Sequence, residues 1–383
     1  MSAEPVAAAS LAQVYRGALD DGTDVAVKVQ RPGLLEQVGL DFYVLRLILA
    51  GINRVVGITR STEIVKGVLD EVGEGLFAEL DFSQEARHIE RFRDLYGALC
   101  PEVVVPDVVW SRTRPRVLTM GWLSGRKARQ LNAQEKLAMV RMAAPCLSLQ
   151  LMGAGFVHCD PHEGNMMLLD DGRLGLIDFG LMAQMTPVHQ ESMASAILNL
   201  LSGDYRALER CFEGMGILNT DVDDVRRPGT EAPFAEALEE ALSGGGGRER
   251  RVQGSLDRRR AFGQLYEELG DLAFKYYFTL PSYYVLVMRS FVTLEGIAFG
   301  ADPEFNMYTN SYPFAFRRML VPRTILGKSL LRDALLTDPG GRLKVFDLLE
   351  ERARSSRSAP SSPIRGAAGA AATVTTAARL VAE

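Results

Sequence analysis

One string constrains this chain more than any other: VHCDPHEGNMMLLDDGRLGLIDFG, from Val157 to Gly180. MMLLD and LGLID read as two short strands around the turn Asp170-Asp171-Gly172. A hairpin of that kind brings Asn165, just before its first strand, and Asp178, just after its second, to the same edge. An amide carbonyl and a carboxylate are hard oxygen ligands of the kind magnesium takes, with substrate phosphates completing its shell. Asp160 adds a third carboxylate, placed where it can position or deprotonate an attacking hydroxyl.

An Asp five residues before an Asn, followed by Asp-Phe-Gly, is the pattern of a kinase catalytic loop. Asp-Phe-Gly alone occurs by chance in many chains. An ordinary polar turn beside an unrelated Asp-Phe-Gly does not account for Asp160, Asn165 and the hairpin together. His158 and His162 flank the loop at helical spacing, yet Pro161 and Gly164 argue against a helix and so against a zinc pair. His158 is better read as a structural residue holding the loop backbone. Cys159 stands where typical protein kinases carry an Arg that pairs with a phosphorylated activation loop, so that switch is not expected; a packed thiol is expected instead.

Upstream, Lys28 lies in VAVKV, a match to the strand whose lysine holds nucleotide phosphates and pairs with a helix Glu. The alternative is a strand lysine pointing to solvent. The partner must come from AELDFSQEARHIERF, which offers Glu79, Asp81 and Glu85; dense carboxylates on a helix usually mark a solvated face, so the residues alone leave the choice open. No glycine-rich loop precedes Lys28. Ala7-Ala8-Ala9-Ser10 stands in its place, and a Cβ at each position restricts how backbone amides close on phosphates.

Around this centre the chain is ordinary. Its 383 residues are 47% apolar and 24% charged, with a net charge of −5, which argues against a nucleic-acid binder held by general basicity and leaves room only for a local basic patch. Cys100, Cys146, Cys159 and Cys211 lie far apart, and no disulfide framework is indicated. The N-terminus lacks the pattern of a signal or transit peptide. The most apolar stretches, Phe42–Ile58 and Tyr283–Gly300, are interrupted by Arg46 and Arg54 and by Arg289 and Glu295, so no transmembrane helix is expected. Buried helix is the plain reading of both and a membrane-surface helix the sharper one. Residues 11–30 read as a hairpin, 34–97 as mostly helical with breaks near Gly57 and Gly73, and Val103–Val105 and Arg116–Trp122 as strands. Asn132 caps a long helix with Glu135 three residues on. From 188 to about 350 the pattern is helical, interrupted by a basic, glycine-rich loop over Ser243–Arg260. Beyond Arg352 the composition is that of a disordered tail.

Together, AAASLAQVYRG, VAVKVQRPG, AELDFSQEA, HCDPHEGN and LIDFGL resemble the UbiB family of atypical kinase-like proteins. LPSYYVLVMRSFVTLEGIAFGADPEFN is similar to that family's C-terminal helical region. The resemblance covers roughly residues 5 to 335. It implies a two-lobed, protein-kinase-like α+β fold, with the small lobe over 1–123, the large lobe over 124–350 and the tail over 351–383. It implies that Glu85 is the partner of Lys28 and that Glu79 and Asp81 form the family's ExD pair. It implies ATP or ADP with Mg2+ as cofactors, held by Lys28, the alanine loop, Asn165 and Asp178, with Asp160 toward the acceptor. The implied activity is that of an atypical kinase or ATPase supporting isoprenoid-quinone or prenyl-lipid metabolism, in plastid or mitochondrion, with a membrane surface or prenyl lipid as partner and no nucleic acid. A non-catalytic nucleotide-binding regulator or lipid chaperone is the rival, and a true protein or small-molecule kinase the third reading. The chain departs from the family in three places: the helical extension with its KxGQ motif does not precede the alanine loop, Glu163 replaces a Pro, and His88 stands where Asn is usual.

Overall fold

The computed structural model describes residues 1–8, 11–56, 73, 77, 80–202, 204–218, 225–243, 272, 275–277 and 282–335. The basic loop beyond Ser243, the tail, Ala9, Ser10 and Glu79 lie outside them. The architecture is mixed α+β, with the small sheets of the described residues lying before residue 185 and helices dominating after residue 187. Two compact units emerge: Met1–Glu135 with Glu163–Met182, and Lys136–His162 with the chain from Ala183 onward. The boundary read near residue 123 falls inside the first unit.

In the first unit, β1 (Ala7–Ala8), β2 (Ala12–Ala18), β3 (Asp24–Gln30) and β5 (Val117–Gly121) form a four-stranded sheet in the order β1-β2-β3-β5. β2 and β3 are the expected hairpin; Lys28 pairs with Val14 on one side and Leu118 on the other, so it sits on an interior strand. The alanine run was read as a loop, yet Ala7 and Ala8 pair antiparallel with Val14 and Gln13. A second sheet runs β4 (Val103–Val104), β9 (Leu174–Leu176), β8 (Met166–Leu169), β6 (Gly125–Lys127). The β8–β9 turn needs Gly172, whose φ of 85° L side chains rarely adopt.

Two helices complete this unit. α1 (Leu34–Val56) buries only a narrow stripe that includes Val38 and Leu49, while Leu40, Tyr43, Leu47 and Ile48 are exposed. This corrects the reading of Phe42–Ile58 as a buried helix: apolar residues all round a helix exceed the single face that its described neighbours cover. α2 (Phe82–Tyr96) is the opposite case, a clean amphipath with Phe82, Glu85, Ala86, Ile89, Phe92 and Tyr96 on its buried face. The spacing is helical, and Glu85 lies among the apolar anchors rather than on the solvated side.

α3 (Ala133–Met152) starts at the predicted cap: Asn132 Oδ1 accepts from the Glu135 N–H at 3.0 Å, and Glu135 Oε2 accepts from the Asn132 N–H at 2.9 Å. It leads into the second unit. There β7 (Phe156–His158) pairs with β10 (Met182–Gln184), followed by α4 (Pro187–Ser202), α5 (Tyr205–Gly214), α6 (Phe234–Ser243), α7 (Ser282–Phe299), α8 (Met307–Met319) and α9 (Ile325–Leu335). α4 is the core helix, buried continuously from Gln190 to Leu200. On it Glu191, fully buried, accepts from Arg318 Nη2 at 3.2 Å, from the backbone N–H of Thr324 at 3.1 Å and from the Thr324 hydroxyl. α7 buries Tyr284, Val287, Phe291, Leu294 and Ala298, so the Tyr283–Gly300 stretch is a core helix as read. No helix among the described residues is long and apolar enough to cross a membrane.

Candidate functional site

The site of the first unit is built on β3, α2 and the β8–β9 hairpin. Lys28 Nζ donates to both Glu85 carboxylate oxygens at 2.8 Å and to Asp178 Oδ2 at 3.1 Å. Lys28 is 8% exposed and Glu85 4%, which excludes the solvent-facing lysine. Burial opposes the ammonium, but the two carboxylates outweigh it and raise its pKa above the ordinary lysine value. Burial likewise pushes the Glu85 carboxyl up, and Asp178 adds to this against the pull of Lys28. One ammonium shared by two carboxylates leaves the cluster one negative charge in excess, a setting that favours a further cation.

Asp178 is held in place by its own turn: Oδ1 accepts from the Gly180 N–H at 3.0 Å. Met166 pairs with Leu176, and the Ile177 N–H donates to the Asn165 carbonyl at 3.1 Å, so Asn165 and Asp178 leave the open end of the hairpin side by side. Their amide and carboxylate oxygens are the hard donors magnesium takes, and the charge excess fits a divalent ion. Among the described residues no group of three or more His, Cys, Asp or Glu stands ready to hold a metal by itself; an Asn–Asp pair needs phosphate oxygens to complete such a shell.

The helix fixes the Asp-Phe-Gly turn at three points. The Phe179 N–H donates to Glu85 Oε1 at 3.4 Å, His88 Nδ1 bonds the Phe179 carbonyl at 2.9 Å, and the Phe92 and Phe179 rings meet edge-on at 5.2 Å. A carbonyl only accepts, so His88 carries its proton on Nδ1. Burial lowers its pKa, with Arg91 and Arg87 acting the same way against the Phe179 bond. Sequence reading noted His88 only as a departure; its place three residues after Glu85 was the available signal. Asp81, read as half of an acidic pair, is the N-cap of α2, accepting from the Ser83 N–H at 2.9 Å. Its partner Glu79 lies outside the described residues, as do Ala9 and Ser10.

Asp160 belongs to the second unit, in the loop after β7. His158 is buried and structural there: its N–H donates to Gln150 Oε1 at 2.8 Å, and its Nδ1 accepts from the Asp160 N–H at 3.2 Å. Gly155, with a φ of 73°, starts that strand where a Cβ would lie 2.8 Å from the Met185 carbonyl. Cys159 is fully buried, and burial pushes its thiol up to about 12, so it is packed rather than nucleophilic. The Asp160 carboxylate pairs with Arg289 of α7 at 2.7 Å, a partner that sequence reading registered only as a charge interrupting an apolar run.

With this geometry in place, comparison with known proteins is direct. The ABC1 atypical kinase-like domain profile matches residues 1–212. The Synechocystis protein sll0005 is 33% identical over 365 residues, covering 94% of this chain and 51% of its own length. The Arabidopsis thaliana protein Activity of BC1 Complex Kinase 3, chloroplastic, is 36% identical over 343 residues, covering 88% of this chain and 45% of its own. The chain thus spans about half the length of these curated relatives. Among solved structures, the complex of Rv3197 with erythromycin from Mycobacterium tuberculosis superposes with a TM-score of 0.55 at 25% identity, over 77% of this chain and 72% of that one. The buried lysine–glutamate pair, the Asn165–Asp178 hairpin and these matches converge: the chain belongs to the ABC1 atypical kinase-like family.

Proposed function

We propose that this chain binds ATP or ADP with Mg2+ and acts as an atypical kinase or ATPase in isoprenoid-quinone or prenyl-lipid metabolism. One observation carries the reading: a buried lysine bonded to both oxygens of Glu85 and to Asp178 at 3.1 Å. Burying the Lys28–Glu85 charge pair is costly, and this arrangement leaves an ammonium oriented on one side by Glu85 with the partly exposed Asp178 carboxylate beside it. Lys28 holds phosphate oxygens, and Glu85 orients it. Asn165 and Asp178 supply oxygens to magnesium, whose bound charge would offset the charge that develops on the transferring phosphoryl group. Asp160 positions the acceptor hydroxyl or takes its proton. A prenyl lipid or membrane surface is the proposed partner, supported by the exposed apolar residues of α1. A plastid is the proposed location, resting on relatives whose names carry "chloroplastic".

The competing reading is a non-catalytic nucleotide-binding regulator or lipid chaperone. It draws on Ala7 and Ala8, paired into the sheet where a glycine loop would close over phosphates. The test is phosphate release from ATP and Mg2+ in buffer, detergent and liposomes, beside Asp160→Asn and Asp178→Asn. Hydrolysis that rises with lipid and falls in both variants supports the proposal. Magnesium-dependent binding with no hydrolysis favours the regulator. Robust transfer to a peptide panel with no lipid response would make it an ordinary protein kinase.

A further inference from the structure

The Asp160 loop carries no strong cation of its own. Cys159 is buried and neutral at working pH, and His162, about half exposed, approaches Asp160 Oδ2 at 3.5 Å. The guanidinium comes instead from a residue 129 positions away: Arg289 Nη2 donates to Asp160 Oδ1 at 2.7 Å. Arg289 sits off the buried face of α7, with a side chain 53% exposed, so it does not fill the core. Its backbone is regular helix, and its carbonyl accepts from the Thr293 hydroxyl at 2.8 Å. A guanidinium is charged at every working pH, and a hydrogen bond to a carboxylate is short and directional. The bond to Oδ1 restrains the carboxylate's rotation, and with it the oxygen presented to an incoming group. His158 fixes the backbone of the same residue from behind, through the Asp160 N–H. Asp160 is thus tied at two points, its N–H by His158 and its carboxylate by Arg289, and loss of either tie loosens the loop.

We propose that Arg289 is the positioning residue of this loop: from the C-terminal helical region it fixes the Asp160 carboxylate for the acceptor. The proposal rests on the nucleotide-chemistry reading above. It predicts a specific pattern of losses, since misplacing a reacting group by about 1 Å can cost on the order of a hundredfold in rate.

The test compares Arg289→Gln, Arg289→Lys, Asp160→Asn and the Arg289→Gln/Asp160→Asn double variant with the unmodified chain. It measures ATP turnover and amide hydrogen exchange across residues 158–162. Arg289→Gln should lower kcat roughly ten- to a hundredfold with KM for ATP within about twofold. Arg289→Lys should recover part of that loss, and the double variant should be no slower than Asp160→Asn alone. The loop amides should exchange faster in Arg289→Gln. Unchanged kcat and exchange would overturn the proposal, as would a loss confined to KM or additive with Asp160→Asn. If Asp178→Asn turns over as fast as the unmodified chain, the nucleotide reading fails. The exchange arm then still decides: faster exchange keeps Arg289 as the loop's anchor, and unchanged exchange removes it.

Discussion

Replacing Glu85 by Gln should cost far more stability than replacing Asp178 by Asn, although both carboxylates touch the same ammonium. Glu85 is 4% exposed and accepts from Lys28 through both oxygens at 2.8 Å. At an effective dielectric near 20, unit charges about 4 Å apart attract by roughly 4 kcal/mol. Breaking a buried pair by neutralising one partner costs about 3–5 kcal/mol, because the other charge stays buried. Lys28 would keep Asp178 at 3.1 Å, which places Glu85→Gln near the lower end, about 3 kcal/mol. At roughly 2–4 °C per kcal/mol for a unit of this size, Tm should fall by about 6–12 °C. Asp178 is different. Its side chain is 35% exposed, and neutralising it removes both an attraction to Lys28 and a repulsion of Glu85. An Asn also retains the oxygen that accepts from the Gly180 N–H. The net change should stay within about 1 kcal/mol, or under about 4 °C. Thermal and urea unfolding of both variants, without nucleotide, read the difference. Equal shifts, or a larger one for Asp178→Asn, would refute the view that Glu85 is the structural partner and Asp178 the ligand-facing one.

Two further outcomes follow from the same accounting. His88 is held neutral by burial while donating to the Phe179 carbonyl; the unfolded chain takes up the proton near pH 6.5 and the folded chain at lower pH, so this contribution is complete above about pH 6.5 and is lost as pH falls through the lower folded value. His189 shifts the same way, so the test is a comparison: His88→Asn should show a shallower stability loss between about pH 7 and 5 than the unmodified chain, and equal slopes would refute the assignment. Glu191→Gln should cost about 3–5 kcal/mol, because it strands Arg318, 7% exposed, beside a neutral group; a Tm loss below about 2 °C would show that the backbone N–H groups of Arg323 and Thr324, which both donate to Glu191, carry the segment without the charge.

How much of this was legible in the sequence depended on distance along the chain. The β8–β9 hairpin was readable because alternation and the Asp-Asp-Gly turn are local signals. So was the Asn132–Glu135 cap. Lys28 was found from its strand, but its partner needed the family resemblance, since three carboxylates compete within seven residues from Glu79 to Glu85. The helical face would have separated two of them: Glu85 shares the buried stripe of Phe82, Ala86 and Ile89, whereas Asp81 precedes the helix and caps it. The strand at Ala7–Ala8 was missed because its only cause is pairing with Val14 and Gln13, to which alanine side chains give no pattern. The Gly125–Lys127 strand was missed for the same reason. Arg289 was invisible as a site residue: a lone charge in an apolar run says that something polar lies nearby but not that it is Asp160, 129 residues upstream.

We propose that Lys28, Glu85, Asn165 and Asp178 act together as one magnesium–nucleotide site. Calorimetric titration of ATP into the unmodified chain, with magnesium and then with EDTA, beside Lys28→Met and Asp178→Asn, tests it most directly. Binding should require magnesium, be lost in Lys28→Met, and lose its magnesium dependence in Asp178→Asn while the variant remains folded. ATP binding of equal strength with EDTA, or an unchanged magnesium response in Asp178→Asn, would contradict it.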